Sequence, residues 1–171
     1  MKNNIAHLFL NASNSNPERI AIIERDRSIS YLDLQHEIAQ TAAYFREKGL
    51  KEGDRVLVFI PMSIDLYRIT LALFSLGAVA VFLDEWVSFK RLKLCCEIAD
   101  CKAFIAPPKI RFLGWFVPVI RRIPIHLSAT KRKRGFQLLS IQDVDQDLPA
   151  LITFTTGSVG KPKAAVRSHG F

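Results

Sequence analysis

Short apolar runs alternate with longer amphipathic segments between residues 30 and 106, and this alternation restricts the fold more than any other feature of the chain. The runs are Arg55–Ile60, Ala78–Leu83 and Ala103–Ala106. Each is almost continuously apolar, which is typical of a parallel strand covered on both faces. Strands that alternate with helical segments predict an α/β fold with an open, mostly parallel sheet and helices on both faces.

The segments between the runs carry helix signals. Apolar residues recur at helical spacing before the first run, and Gly49 can end that helix. Ser63 can cap a second helix, Ile64–Leu76, which Gly77 can terminate. A third helix is predicted over Ser88–Ala99. Near the N-terminus, two strand-like segments flank Arg25-Asp26-Arg27 and predict a short hairpin before the sheet: Ile20–Glu24 and Ser28–Tyr31.

The segment from Phe154 to Lys163 follows a predicted buried strand, Ala150–Phe154, and is rich in hydroxyls, glycine and lysine. Its glycines allow positive φ and let backbone N–H groups approach an anion, while its hydroxyls donate hydrogen bonds and its lysines supply positive charge. The pattern predicts a phosphate-binding loop; a glycine-containing turn without a ligand is the alternative. The residues concerned are Thr155, Thr156, Gly157, Ser158, Gly160, Lys161 and Lys163.

This loop does not fit the Walker A pattern. Gly157 and Gly160 are separated by two residues where Walker A has four, and Pro162 occupies the place of the magnesium-binding hydroxyl. The residues after Lys163 predict a second strand, whereas Walker A requires a helix there.

The same residues resemble the signature of the adenylate-forming enzymes, which include acyl and aryl acid–CoA ligases, firefly luciferases and peptide-synthetase adenylation domains. That signature is similar to Tyr-Thr-Ser-Gly-Thr-Thr-Gly-x-Pro-Lys-Gly with a later Thr-His. The segment from Phe154 to Ala164 aligns with it without a gap, and Ser168-His169 fits its close. Val159 replaces a hydroxyl residue and Ala164 replaces a glycine; the lost hydroxyl costs about 1–2 kcal/mol of binding if that group touches the nucleotide.

Three further segments resemble this family in the same order: Ser28–Leu34, Gly49–Val56 and Leu71–Val79. They are similar to its T-Y-x-E-L, G-V-x-x-G-D-R-V and x-A-x-x-x-x-G-A-V patterns. The resemblance implies that residues 1–171 are a partial N-terminal AMP-binding (adenylation) domain, truncated just after the phosphate-binding loop.

The resemblance also implies two half-reactions. A carboxylic acid, expected to be a fatty acid, attacks the α-phosphate of ATP and releases pyrophosphate; a thiol, commonly coenzyme A, then takes the acyl group. The residues implied to bind the nucleotide are Thr155, Thr156, Gly157, Ser158, Val159, Gly160, Lys161 and Lys163. His169 is a candidate for the acyl pocket, with simple exposure near the chain end as the alternative. Leu66, Phe74 and Trp86 are further pocket candidates whose alternative is the core.

No residue here matches the family's Mg²⁺-binding segment, ribose-binding aspartate or catalytic lysine. We therefore expect a fragment that is inactive alone or is completed by a second polypeptide. A non-catalytic module that binds an acyl group, a nucleotide or a protein partner is the alternative of a different class.

Positive charge is concentrated in one segment. The net charge is +8, and residues 102–141 contain nine Lys or Arg and no Asp or Glu. Within 109–134, Phe112, Trp115, Phe116 and Val119 fit one helical face, which predicts a surface for anionic membranes; a solvated basic loop with a core-packed helix interrupted by Pro118 is the alternative. Lys131–Arg134 is one short cluster without interleaved aromatics, so we expect no nucleic-acid partner.

Cysteine usage and the N-terminus indicate the compartment. Cys95, Cys96 and Cys101 lack metal-ligand spacing, so reduced buried thiols are favoured over zinc or disulfides. No signal-peptide pattern or long apolar run is present. We expect a cytoplasmic protein, with peripheral membrane contact as the variant that the basic segment raises.

Overall fold

A computed structural model describes residues 2–83, 89–156 and 162–170 of the chain. The helices in these ranges are α1 (Ala6–Ser15), α2 (Tyr31–Glu47), α3 (Ile64–Ser75), α4 (Phe89–Ala99), α5 (Pro108–Gly114) and α6 (Pro118–Arg121). The strands are β1 (Lys2–Asn3), β2 (Ile20–Glu24), β3 (Arg27–Ser30), β4 (Arg55–Val58), β5 (Val79–Phe82), β6 (Ala103–Ala106), β7 (Ile125–Ser128), β8 (Val144–Asp145), β9 (Pro149–Thr156) and β10 (Pro162–Ser168).

Ser63, Gly49 and Gly77 bound their helices where they were expected, and Ser30 adds a cap that the sequence analysis did not predict. Ser30 caps α2, since its Oγ accepts a hydrogen bond of 3.1 Å from the Asp33 N–H. Ser63 caps α3 in the same way through the Leu66 N–H. Gly49 and Gly77 follow the two helices with φ of +88° and +68°, a conformation that glycine adopts without a Cβ penalty.

The six strands of the main sheet lie in the order β10-β9-β5-β4-β6-β7. The four pairs from β9 to β7 are parallel, and β9 with β10 is antiparallel. The predicted hairpin forms a separate antiparallel pair, β2 with β3. The prediction of a mostly parallel α/β sheet preceded by a short hairpin is therefore confirmed.

Helices cover both faces of the sheet, as predicted. Alternate residues of β4 show this: Val56 and Val58 pack with α2 and α3, whereas Leu57 packs with α4 and α6. All three side chains are at most 3% exposed. The two clusters give the sheet an apolar layer on each side, which explains why its strands are continuous apolar runs.

The basic, aromatic segment agrees in part with each of the two predictions made for it. Pro118 begins α6 and separates it from α5, so the segment is two short helices. Val119 packs against the core, so it does not share a face with the aromatics. Phe112, Trp115 and Phe116 are 59–70% exposed, so these aromatics do not join the core as the alternative supposed. Ile110 and Ile120 nevertheless pack the two helices against the sheet, and Pro118 interrupts the segment, as that alternative also supposed.

The cysteines are free and buried, as expected. Burial raises the pKa of Cys96 to about 11 and that of Cys101 to about 12. Both thiols are therefore protonated at neutral pH.

Candidate functional site

The candidate phosphate-binding segment joins β9 to β10 at one end of the main sheet. β9 runs parallel to β5, with Val81 opposite Ile152, so residues 157–161 follow the carboxyl ends of the parallel strands. Ligands of open α/β sheets bind at this end. A strand follows the segment, as the sequence predicted. A Walker A loop is followed by a helix, so this segment is of a different kind.

The hairpin that carries this segment is anchored in the core. Ile152 and Phe154 are 8% and 7% exposed and pack with the α4 face of the sheet. Across the hairpin, the Arg167 guanidinium donates to Thr153 Oγ1 at 3.3 Å. Seven residues of β10 pair with β9, with one irregularity after Arg167. Both ends of the segment are thus held by a regular ladder.

The structure places the predicted nucleotide-binding residues in three groups. Thr155 and Thr156 are the last residues of β9, which extends two residues beyond the predicted strand. Lys163 is exposed on β10 and pairs with Thr155 in the ladder. The remaining candidates lie outside the described residues: Gly157, Ser158, Val159, Gly160 and Lys161. Their roles stay predictions.

His169 lies at the opposite end of β10 from residues 157–161. Its backbone N–H donates to the Leu148 carbonyl at 3.0 Å, next to the start of β9. About six residues of strand therefore separate it from Pro162, which is roughly 20 Å. His169 is 2% exposed, so the alternative of an exposed residue near the chain end is wrong. Its role in an acyl pocket stays a prediction.

The surroundings of His169 attach it to the N-terminal segment. Its Nδ1 accepts a hydrogen bond from the Ile5 N–H at 3.4 Å, and its ring meets the Phe74 ring edge-to-face at 6.0 Å. Burial lowers the pKa of His169, and the Glu52 carboxylate acts in the opposite direction. Because Nδ1 accepts, the neutral imidazole carries its proton on Nε2, which is buried without a hydrogen-bond partner in the described residues.

Asn4 completes this N-terminal attachment and was not singled out from the sequence. Its side chain donates to the carbonyls of Phe74 and Gln142 at 2.7 and 2.9 Å, and its Oδ1 accepts from the Ala6 N–H. It is 1% exposed. The chain start is thereby joined to the end of α3 and to the loop that leads into β8. A lone asparagine among polar N-terminal residues gives no pattern that reveals this role.

Arg68 is a second buried polar residue that was not singled out from the sequence, where it lies within a predicted helix. Its guanidinium donates to Asp65 Oδ1 and the Ala129 carbonyl at 2.8 and 2.6 Å, and also to Thr41 Oγ1. Glu37 lies 3.5 Å away and also pairs with Arg132. Burial lowers the pKa of Arg68, while Asp65 opposes that shift. Arg68 thus joins α2, α3 and the start of the 129–134 segment.

Two candidate acyl-pocket residues belong to the core. Leu66 and Phe74 pack against the cluster formed with α2 and α3; Trp86 lies outside the described residues. Within the described ranges, no group of three or more His, Cys, Asp or Glu side chains could hold a metal ion.

A family model described as "AMP-binding enzyme" matches residues 9–171. The chain belongs to the AMP-binding enzyme family. An uncharacterised acyl–CoA ligase of Bacillus subtilis is 30% identical over 158 residues, covering 86% of this chain and 30% of the relative. The delta-poly-L-ornithine synthetase of Acinetobacter baumannii is 27% identical over 163 residues, covering 95% of this chain and 12% of the relative.

Solved structures of family members share this fold. The N-terminal subdomain of Klebsiella oxytoca NpsA, in complex with 3-hydroxybenzoyl-AMSN, aligns with a TM-score of 0.74 and 27% identity over 98% of this chain and 41% of that one. The o-succinylbenzoate CoA synthetase of Bacillus subtilis, bound to its acyl-adenylate, aligns with a TM-score of 0.83 over 99% of this chain and 43% of that one; its 19% identity supports the fold alone. This chain therefore spans less than half of each relative named here.

These comparisons support the family membership that the sequence motifs suggested. The chain is part of an adenylate-forming family whose members include both acyl–CoA ligases and peptide-synthetase adenylation domains. Members of this family act on small carboxylic acids with ATP, and one relative, MatB of Rhodopseudomonas palustris, was solved with ATP bound. In the part of the chain that the structure describes, no helix has the length and apolar character of a membrane span.

Proposed function

We propose that this chain supplies the ATP-phosphate-binding part of an enzyme that activates a carboxylic acid as an acyl-adenylate. The supporting observation is the position of the signature segment: it joins β9 to β10 at the carboxyl end of the parallel strands, in a chain of the AMP-binding family. Residues 1–171 then form a partial adenylation domain, and the remaining catalytic groups come from elsewhere in the protein or from a second polypeptide.

In this proposal the segment binds the pyrophosphate portion of ATP. Backbone N–H groups around Gly157 and Gly160, together with the hydroxyls of Thr155, Thr156 and Ser158, donate to phosphate oxygens. Lys161 and Lys163 supply positive charge. Such donors, held in place before the reaction, stabilise the charge that develops on the leaving pyrophosphate. Mg²⁺ would neutralise further phosphate charge when bound.

The anchored hairpin suits this role. Phe154 is buried immediately before the segment, and the ladder resumes at Pro162. The donors are therefore tied to a packed sheet at both sides, which lowers the entropy lost when they enclose a phosphate. Val159 contributes only its backbone N–H, because its side chain has no hydroxyl.

We further propose a fatty acid as the substrate and coenzyme A as the thiol acceptor. The acyl–CoA ligase relative supports coenzyme A. The fatty acid is supported by a medium/long-chain-fatty-acid ligase of Mycobacterium tuberculosis that is 28% identical over 164 residues, 90% of this chain and 30% of that one. The Mycobacterium ligase is named for an acyl carrier protein as its acceptor. A carrier-protein thiol is thus the competing acceptor, and a cytoplasmic location suits either one.

Catalytic competence is tested by ATP–pyrophosphate exchange. The purified 171-residue chain is expected to show no exchange with any carboxylic acid, since the family's catalytic lysine is not matched here. Exchange should appear when residues 1–170 are fused to the remainder of the adenylation domain of the Bacillus subtilis relative. Robust exchange from the 171-residue chain alone would contradict the proposal that further catalytic groups come from outside residues 1–171.

Nucleotide binding is tested separately on the 171-residue chain. Ser158→Ala and Lys163→Gln should each weaken MgATP binding about 10- to 150-fold, the equivalent of one hydrogen bond to a charged group. The matched control is Lys131→Gln, which removes an exposed lysine from another part of the surface. Equal affinities of all four proteins would argue against the segment as the phosphate site.

A further inference from the structure

Four large apolar side chains project from the end of α5 into solvent. Phe112, Leu113, Trp115 and Phe116 are 59–70% exposed, and we call them the aromatic patch. Phe112 and Phe116 meet edge-to-face with ring centroids 5.5 Å apart. The helices hold this patch firmly, because Ile120 is buried and Ile110 packs against the core cluster with α4. Contiguous exposed apolar side chains of this size mark an interaction surface.

Positive charge surrounds the aromatic patch. Lys109, Arg121 and Arg122 are exposed and Arg111 is half-buried. No Asp or Glu occurs between residues 102 and 141, so no acidic neighbour in sequence neutralises them. None of the ion pairs found within the described ranges includes these four residues. The surface therefore combines insertable aromatic rings with positive charge.

A shallow cavity lies beside the patch. Pro108, Arg111, Phe112, Trp115 and His126 line it, and its volume is about 380 Å³. The His126 ring is held between Phe104 and Trp115, at 5.7 and 5.8 Å between centroids. Both His126 ring nitrogens are buried without a hydrogen-bond partner in the described residues. A buried polar group of this kind calls for a partner, and a phosphate oxygen that accepts from His126 and Arg111 would supply one.

We propose that the aromatic patch docks on the surface of a bilayer that contains anionic phospholipids, with a lipid phosphate in the cavity beside it. Trp and Phe are favoured at the interface of a bilayer, and exposed Lys and Arg are attracted to anionic headgroups. The charge of the segment favours this occupant over a second copy of the chain, because two such patches would bring like charges together.

The position of the patch leaves the candidate nucleotide site accessible. α5 and α6 connect β6 to β7, the edge strand opposite β10. Five strand spacings, about 24 Å, separate the two edges. The proposal does not depend on the proposed function, since it rests on a different edge of the sheet.

Co-sedimentation with vesicles tests the proposal on the 171-residue chain. Vesicles of phosphatidylcholine with 30% phosphatidylglycerol should bind the protein at least about tenfold more strongly than pure phosphatidylcholine. The double variant Phe112→Ser/Phe116→Ser should reduce that binding by about tenfold or more, and Arg121→Gln/Arg122→Gln should reduce it by about fivefold per arginine. His126→Phe should weaken binding without changing the folded state.

The matched control is Ile23→Ser, because Ile23 is 75% exposed on the hairpin, away from the patch. It should bind vesicles as the unmodified chain does. Analytical ultracentrifugation of each variant tests whether a second copy of the chain covers the aromatic patch instead. The proposal would be overturned if the unmodified chain self-associates and does not bind vesicles, and if Phe112→Ser/Phe116→Ser abolishes that self-association. Equal binding to anionic and neutral vesicles, or unchanged binding of the double variant, would also overturn it.

Discussion

Replacing Gly77 by alanine should destabilise the chain well beyond the cost of a positive φ. Gly77 follows α3 with φ of +68°, and a Cβ placed there would lie 2.6 Å from Val144 Cγ1 and 3.2 Å from Glu52 Cγ. Gly49 follows α2 with φ of +88°, yet its Cβ would have no neighbour within 4 Å. The two glycines share the conformational requirement and differ only in the contact.

The expected magnitudes follow from these two contributions. An alanine in the left-handed region costs about 1–2 kcal/mol at either position. Carbon atoms prefer separations of about 3.5–4.0 Å, so Val144 must move by about 1 Å; such overpacking costs about 1–3 kcal/mol more. Gly49→Ala should therefore lose about 1–2 kcal/mol and Gly77→Ala about 2–5 kcal/mol of unfolding free energy.

Urea unfolding followed by circular dichroism measures both losses. Val144→Ala removes the clashing Cγ1, so the Gly77→Ala/Val144→Ala double variant should recover part of the loss and show a favourable coupling of about 1 kcal/mol or more. The same cycle with Gly49→Ala should show none. Equal losses for Gly77→Ala and Gly49→Ala, together with zero coupling to Val144, would refute the contact as the cause.

Three further predictions concern buried polar groups. Arg68→Met should lower the unfolding free energy by about 3 kcal/mol, because it leaves the Ala129 carbonyl without its donor; an unchanged urea midpoint would contradict this. The pKa of His169 lies below its ordinary value of 6.5, so the unfolded state binds more protons than the folded state. The unfolding free energy should therefore fall as pH drops below about 6.5 toward the folded pKa. In urea titrations at several pH values, His169→Gln should flatten that decline. The cysteine thiols, with the pKa of Cys101 raised to about 12, should react with DTNB at neutral pH only after unfolding; rapid labelling of the native chain would contradict their burial.

Much of the fold follows from the sequence because short-range patterns and burial agree. The runs around Val56, Val81 and Ile105 are apolar on both faces, and the structure buries both faces. Ser63 and Gly77 mark the ends of α3 with side-chain chemistry that depends only on neighbouring residues. Parallel pairing then follows from the intervening helices.

The aromatic segment shows where this reasoning stops. Helical periodicity alone does not determine whether Phe112 and Phe116 face the core or the solvent, and Pro118 changes the direction of the chain between them and Val119. Exposure of the aromatics depends on how α5 and α6 pack against α4 and the sheet, which is a long-range property. The sequence therefore predicted helical structure correctly, but it did not decide between the exposed and the core-packed orientation of the aromatic side chains.

The buried polar groups of the N-terminal attachment illustrate a second limit. The phosphate-binding segment is contiguous in sequence, so its motif is visible without the structure. Asn4 and His169 are brought together across almost the whole chain, through Ile5 and Phe74. Contacts of that sequence separation leave no local pattern, since each residue alone is compatible with an exposed position.

The most direct test of the central claim is an amide chemical-shift titration of the ¹⁵N-labelled chain with MgATP and with pyrophosphate. We predict that both ligands shift the same amides between Thr153 and Lys163, while amides of α2 and of the aromatic patch stay unchanged. Lys163→Gln should reduce the shifts at equal ligand concentration. Shifts confined to other parts of the chain, or none at saturating ligand, would contradict the assignment of the β9–β10 connection as the phosphate site.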